Sequence, residues 1–275
     1  MNTKLLALCG MALLCTNSLF AAPADLDLTF GASGSTVGSH LGATYYDAAI
    51  QADGKIVVFG VDNRPGMFLS RYLPDGTLDT SFSVDGIEDV DFGSGSAIGK
   101  DLVIQPDGKL LVMSWSSGDG NGDVGVARYN TDGTLDVTFG GDGTIVQSLR
   151  SLINPGGGIS YDVPDAMALQ PDGKILVTGL YKESTQDQLF VLRLNSDGTP
   201  DTSFRTVGAF RYTLGQQSVQ YGHDIMVKPD GKIVVLGKSW TGGSSYDSLV
   251  LVLNPDGTHD FDFVGSGSGW VLGLR

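Results

Sequence analysis

The residues of this chain whose types and spacing could do chemistry are mostly carboxylates. Asp47, Asp101 and Asp224 each stand six residues before the aspartate of an Asp-Gly-Lys turn; the equivalent position in a further copy is Ala166, with Asp165 beside it. Gathered at one end of a channel, four carboxylates would take a cation, or the hydroxyl and amino groups of a ligand. The competing reading makes each one a cap on the turn that enters its strand. His223 precedes Asp224 and offers an imidazole with an orienting carboxylate, or simply a loop-end histidine; the other two histidines are His40 and His259. Three aromatics, Trp115, Tyr181 and Trp240, fall at nearly the same place in segments that otherwise differ, where they would stack on a sugar, anchor a protein or serve as buried loop anchors. Asp119, Asn121 and Asp123 space oxygen ligands as a calcium loop does. Val124 stands where that loop needs glycine and Asn130 where it needs a bidentate glutamate, so a weak surface calcium site is the most it allows.

Established catalytic signatures are missing. The chain has no HExxH, no G-x-S-x-G and no P-loop, and its two cysteines are Cys9 and Cys15. Both lie in an N-terminal stretch with one positive charge, an apolar run at Leu5–Leu14 and a small-residue exit, which reads as a secretory signal over residues 1–21. The protein is expected in the periplasm or outside the cell, with one domain over 22–275 and no disulfide. Loss of Lys4 takes the formal charge from −14 to −15. That field repels phosphate backbones and anionic head groups, so nucleic acid and membrane insertion are excluded as partners. Only two of the 31 acids, Glu88 and Glu183, are glutamates, and 40 residues are glycine. Aspartate and glycine mark turns, where surface helices would carry glutamate.

The elements that must position these residues are repeats. QADGKIVVFG at 51–60 recurs as QPDGKLLVMS at 105–114, QPDGKILVTG at 170–179 and KPDGKIVVLG at 228–237. A second signature follows each: RYLPDGTLDTSF at 71–82, RYNTDGTLDVTF at 128–139, RLNSDGTPDTSF at 193–204 and VLNPDGTHDFDF at 252–263. Two landmarks moving together with a period near 60 suit a four-stranded propeller blade. The fold expected is all-β: a β-propeller of four-stranded antiparallel blades, four full repeats (about 41–92, 93–149, 150–214 and 215–275) plus one extra outer strand at 26–40. About seventeen strands and no long helix follow. The extra strand makes the chain either a ring with a surplus strand or an arc that needs a partner, hence a monomer or a closure-dependent homodimer.

The recurring Arg71, Arg128 and Arg193 must find a partner on an otherwise apolar strand, either the aspartate eight residues on (Asp79, Asp136, Asp201) or an inter-blade carbonyl. The segments that differ between copies, 61–66, 115–123, 180–188 and 238–247, read as loops, together with the long connection 149–164.

At these residues the sequence resembles the delta-60 repeat family, whose pattern QPDGKIVV-G followed by ARYNPDGTLDTSFGGDG is matched closely at 105–114 and 127–143. The resemblance implies a bacterial secreted β-propeller and no particular activity. The last unit departs from the pattern with Val252 for the arginine and His259 for a leucine. The function expected is a secreted scaffold that binds a protein or glycan partner without catalysis and with no cofactor beyond that calcium; the alternative is a metal-dependent hydrolase or lactonase using channel-facing aspartates.

Overall fold

The computed structural model describes residues 26–38, 42–62, 66–93, 97–116, 122–156, 160–183, 186–214, 219–240, 246–263 and 270–272. Sixteen strands in this part of the chain form four antiparallel sheets of four, each built from consecutive strands. Blade one holds β1 (Thr44–Ile50), β2 (Ile56–Val61), β3 (Met67–Tyr72) and β4 (Ile87–Val90). Blade two holds β5 (Ala97–Ile104), β6 (Leu110–Ser116), β7 (Asp123–Tyr129) and β8 (Thr144–Gln147). Blade three follows a five-residue helix α1 (Leu149–Ile153) and holds β9 (Ser160–Leu169), β10 (Ile175–Glu183), β11 (Gln186–Leu194) and β12 (Ala209–Tyr212). Blade four holds β13 (Val219–Val227), β14 (Ile233–Trp240), β15 (Asp247–Leu253) and β16 (Trp270–Leu272). This is the expected all-β propeller of four-stranded antiparallel blades, but the extra outer strand expected at 26–40 is not formed over the described residues 26–38. The chain turns back on itself there, Gly34 N–H donating to the Phe30 carbonyl and Ala32 N–H to the Ser35 carbonyl, and leaves a single isolated bridge between Gly31 and Ser35.

The repeated letters decode as joints between blades. In blade two the Arg128 guanidinium donates through Nε to Asp136 Oδ2 at 2.6 Å and through Nη2 to Thr138 Oγ1 at 3.1 Å. Its Nη1 donates to the Ser196 carbonyl of blade three at 2.5 Å. Arg71 reaches Asp79 and the Thr131 carbonyl in the same way, and Arg193 reaches Asp201 and the Pro255 carbonyl. Both partners weighed from the sequence are therefore used at once. The lysine of the Asp-Gly-Lys turn completes the pairing, with Lys109 Nζ 2.7 Å from Asp136 Oδ2. Burial pushes the Asp79 carboxyl up; hydrogen bonds from the Ser81 hydroxyl and N–H and the Arg71 charge outweigh that and hold it down to about 2. Asp201 behaves likewise, with Ser203 and Arg193, and Asp136 is also held low.

Each guanidinium lies over the phenylalanine of its own tail, 4.6–4.8 Å from the ring centroids of Phe82, Phe139 and Phe204. Those buried rings seat against the glycine of the next blade's turn. At Gly133, φ +92°, a Cβ would come within 2.9 Å of the Phe82 ring, so glycine is required both by conformation and by contact.

Three apolar cores result, one between each pair of successive blades. Blades one and two share Val57, Phe59 and Leu69 with Leu110, Val112 and Tyr129. Blades two and three share Leu111, Met113 and Val126 with Ile175, Val177 and Phe190. Blades three and four share Leu176, Val191 and Phe204 with Ile233, Val235 and Leu251. Among the described residues no such core joins blade four to blade one.

The N-terminal stretch occupies the leading side of blade one. Gly31 N–H donates to the Asp75 carbonyl and Phe30 seats on Gly76, which repeats what Phe82 and Ser83 do on blade two. Gly38 lies at the hydroxyls of Tyr45 and Tyr72. β16 pairs with β15 as the fourth strand of blade four.

Two segments read as loops are largely strand. Lys182 pairs with Asp187 and Glu183 with Gln186, so β10 and β11 run on through most of 180–188. The connection 149–164 contributes α1 and the first half of β9, held by the Leu149 N–H on Asp162 Oδ2 at 2.6 Å. Ladder hydrogen bonds and burial of Leu149 and Tyr181 outweigh the turn-rich composition there.

Candidate functional site

The innermost strands β1, β5, β9 and β13 carry the site, and the same irregularity occurs in all four. Pairing skips one residue: Tyr45 opposes Gly60 and Asp47 opposes Phe59, which leaves Tyr46 as a bulge. In β5 the skipped residue is Lys100, in β9 Asp165 and in β13 His223. A bulge turns a side chain out of the sheet's alternation and is a recurrent device for aiming one at a functional site. Four geometrically equivalent positions therefore present four different chemistries: a phenol, an ammonium, a carboxylate and an imidazole.

These side chains form a row across the blades. Tyr46 lies over Gly99, where a Cβ would meet its ring at 2.3 Å; without that glycine the blades could not approach so closely. Lys100 Nζ stands 3.7 Å from Asp165 Oδ1, and His223 Nδ1 is 2.7 Å from Asp165 Oδ2. The Lys100, Asp165 and His223 side chains are 23%, 37% and 44% exposed, so the row is open to solvent and its groups reach a ligand without unfolding. The carboxylate orients the imidazole and leaves Nε2 as the edge a ligand would meet.

An aromatic group continues the row. The Tyr221 ring is stacked with His223, 6.2 Å between centroids and 8° between planes. Tyr246 meets it edge-on at 6.0 Å, and Lys238 Nζ lies 4.6 Å from the Tyr221 centroid and 5.0 Å from that of Tyr246. Burial, with Tyr246 and Asp187 nearby, pushes the Tyr221 hydroxyl up to about 12, so it remains a donor across the physiological range.

The neighbouring aspartates do different work. Asp47 Oδ2 accepts the Leu102 N–H of blade two at 3.0 Å, and Asp101 Oδ2 accepts the Met167 N–H of blade three at 2.6 Å. Each also accepts the N–H of the residue after it, as Asp224 does from Ile225 at 2.8 Å. They are staples from one inner strand to the next, a wider role than the turn caps considered from sequence. Burial first, then the adjacent Asp47 carboxyl, pushes Asp101 up to about 7.

Several sequence expectations change here. His223 takes its carboxylate from Asp165, one blade away, because the bulge turns it from Asp224. Asp165 leaves the set of carboxylates formed by Asp47, Asp101 and Asp224 for the same reason. Among the described residues no three His, Cys, Asp or Glu side chains come together as a metal site. Tyr181 is fully buried in the core between blades two and three, so it is not on a rim. Trp115 lies on β6 against Gly122 and Trp240 ends β14, two blades apart; the three aromatics do not converge. Asp119 and Asn121 lie outside the described residues, while Asp123 is the buried first residue of β7. His40 also lies outside them, and His259 packs among Phe210, Tyr212 and Phe261.

Among solved structures, a polysaccharide lyase (PL25 ulvan lyase) is 10% identical with a TM-score of 0.48, over 83% of this chain and 57% of that one. The chain thus spans little more than half the length of that lyase. A protein of unknown function from Dyadobacter fermentans is 11% identical over 84% and 71%, TM-score 0.45. A putative exo-β-1,3-galactanase from Bifidobacterium bifidum is 13% identical over 82% and 70%, TM-score 0.40. No curated protein matches the chain. A family model described as a domain of unknown function (DUF5122) β-propeller matches residues 51–82, 105–139, 170–204 and 228–263, half of the sequence, and the chain belongs to that family.

Proposed function

We propose that this chain is an exported, non-catalytic binding propeller whose ligand is an oligosaccharide held on the bulge row and its aromatic extension. The observation that carries the reading is the row itself: one repeated backbone device presents Tyr46, Lys100, Asp165 and His223, no two alike, while the residue after three of them is always aspartate. Repetition maintains a scaffold; divergence on an unchanged backbone is where a private specificity sits. The Tyr221 and Tyr246 rings supply faces for the C–H surface of a sugar, and the ammonium, carboxylate and imidazole supply donors and acceptors for its hydroxyls. Use of Asp47 and Asp101 as backbone staples supports binding over metal-dependent hydrolysis, because their oxygens are already committed to N–H groups. The N-terminal Lys4, the apolar run Leu5–Leu14 and the small-residue exit support export.

The test is titration against an array of neutral and uronate-containing oligosaccharides. A member of the array should bind, and His223→Ala and Tyr221→Ala should each weaken it by about tenfold or more, or about 1.4 kcal/mol. An array without a binder, or variants that bind like the parent, would refute the reading.

A further inference from the structure

The two ends of the blade series are matching halves of a joint that the molecule already makes three times. On blade four the face turned away from blade three carries Val234, Leu236 and Val250, all partly exposed, with Met226 at 45% exposure. The equivalent residues of β2 and β6, Val57, Phe59, Leu111 and Met113, have no exposed surface. On blade one the face turned away from blade two carries Ile56 and Val58, again partly exposed, where Leu110, Val112, Ile175 and Val177 are fully buried.

The polar staple is split in the same way. Asp47 and Asp101 cross to the N–H of the next inner strand at Leu102 and Met167. By the same spacing Asp224 would cross to the Ala48 N–H, the equivalent position on β1, and no aspartate of another blade reaches Ala48 among the described residues. The tail contact at this joint is already supplied: Phe30 and Gly31 sit on Gly76 and Asp75, as Phe82 and Ser83 sit on blade two. Blade four keeps its own tail, with Asp260 N–H on the Val252 carbonyl and Lys232 paired to Asp260, but has Val252 where the other blades have the arginine that crosses to the next blade.

We infer that blade four of one chain docks on blade one of a second copy, and that two copies close head to tail into one ring. Joining the ends twice, once in each direction, leaves no open apolar face, as a heterologous contact must when it closes. Two arcs of four give eight blades, at the upper end of the usual propeller range of about four to eight; three arcs would exceed it.

The test uses the intact chain. Sedimentation equilibrium at micromolar concentration should give the mass of two chains, and Leu236→Asp should give one chain with an unchanged far-UV circular dichroism spectrum. In a chain carrying both Asp224→Cys and Ala48→Cys, mild oxidation should give a covalent dimer on a non-reducing gel, with Cys9 and Cys15 removed with the leader or replaced by serine. A parent of one chain, a parent of more than two, a crosslink confined within one chain, or no crosslink would each overturn the inference. Failure of the oligosaccharide reading leaves it untouched, because it rests on the end faces alone.

Discussion

Two adjacent positions on the four inner strands obey opposite rules. At the staple position three of four residues are aspartate, and where another blade follows, the carboxylate reaches a backbone N–H on it. One residue earlier, at the bulge, the four residues are Tyr46, Lys100, Asp165 and His223. The backbone is the same at both, so the difference lies in what the side chain meets. The staple meets another copy of the repeat, whose partner atom never changes; the bulge residues Lys100, Asp165 and His223 meet solvent and one another, while Tyr46 packs on Phe59 and Gly99 at the start of the row. In a repeat protein, sameness marks the surfaces that repeats show one another, and difference marks those shown to something else.

The comparison is broken most severely at the joints. Arg128 is buried and links Asp136 and Thr138 of its own blade to the Ser196 carbonyl of the next. Arg128→Leu leaves the buried Asp136 carboxylate with Lys109 as its remaining cation, and should cost about 3–5 kcal/mol in chemical denaturation. A loss below about 1 kcal/mol, the size of an exposed ion pair, would show that the joint holds by apolar packing alone.

An intermediate effect is expected from pH. The folded Asp101 carboxyl is raised from 3.8 to about 7, so its contribution to stability is complete below about 3.8 and is lost as pH rises through 7. Asp79 and Asp201, held near 2, act in the opposite sense: their contribution is present above about 3.8 and disappears as pH falls towards 2. Stability should therefore fall by roughly 2–3 kcal/mol from pH 5 to pH 8, most of it below pH 7. Asp101→Asn keeps an acceptor for Met167 and a donor towards Asp47, and should flatten that slope; a parent whose melting temperature is level over the range contradicts the assignment.

The smallest effect belongs to the bulge row. Lys100→Ala and His223→Ala remove partly exposed side chains that hold no backbone group among the described residues, and each should change stability by no more than about 0.5 kcal/mol. A loss of 2 kcal/mol at either would make the row part of the scaffold and erase the distinction drawn above.

The sequence by itself determined the blades. Turn chemistry is local, since Asp-Gly sets a positive φ at Gly54, Gly108, Gly173 and Gly231, and strand patterning is local too. The arginine–aspartate pairs were legible because both members lie within one unit, eight residues apart. The bulge row was not, although aligning the inner strands would have shown one position varying beside one that repeats. A bulge arises only when two strands pair with unequal numbers of residues, which neither strand records alone. The pairing of His223 with Asp165, 58 residues away, depends on how closely two blades pack. Likewise, the N-terminal stretch reads as a closing strand in sequence, but where it sits was decided by the vacant turn of blade one, whose Asp75 carbonyl and Gly76 accept Gly31 and Phe30. Local rules wrote the repeat; packing between repeats decided what the repeats hold out to solvent and to each other.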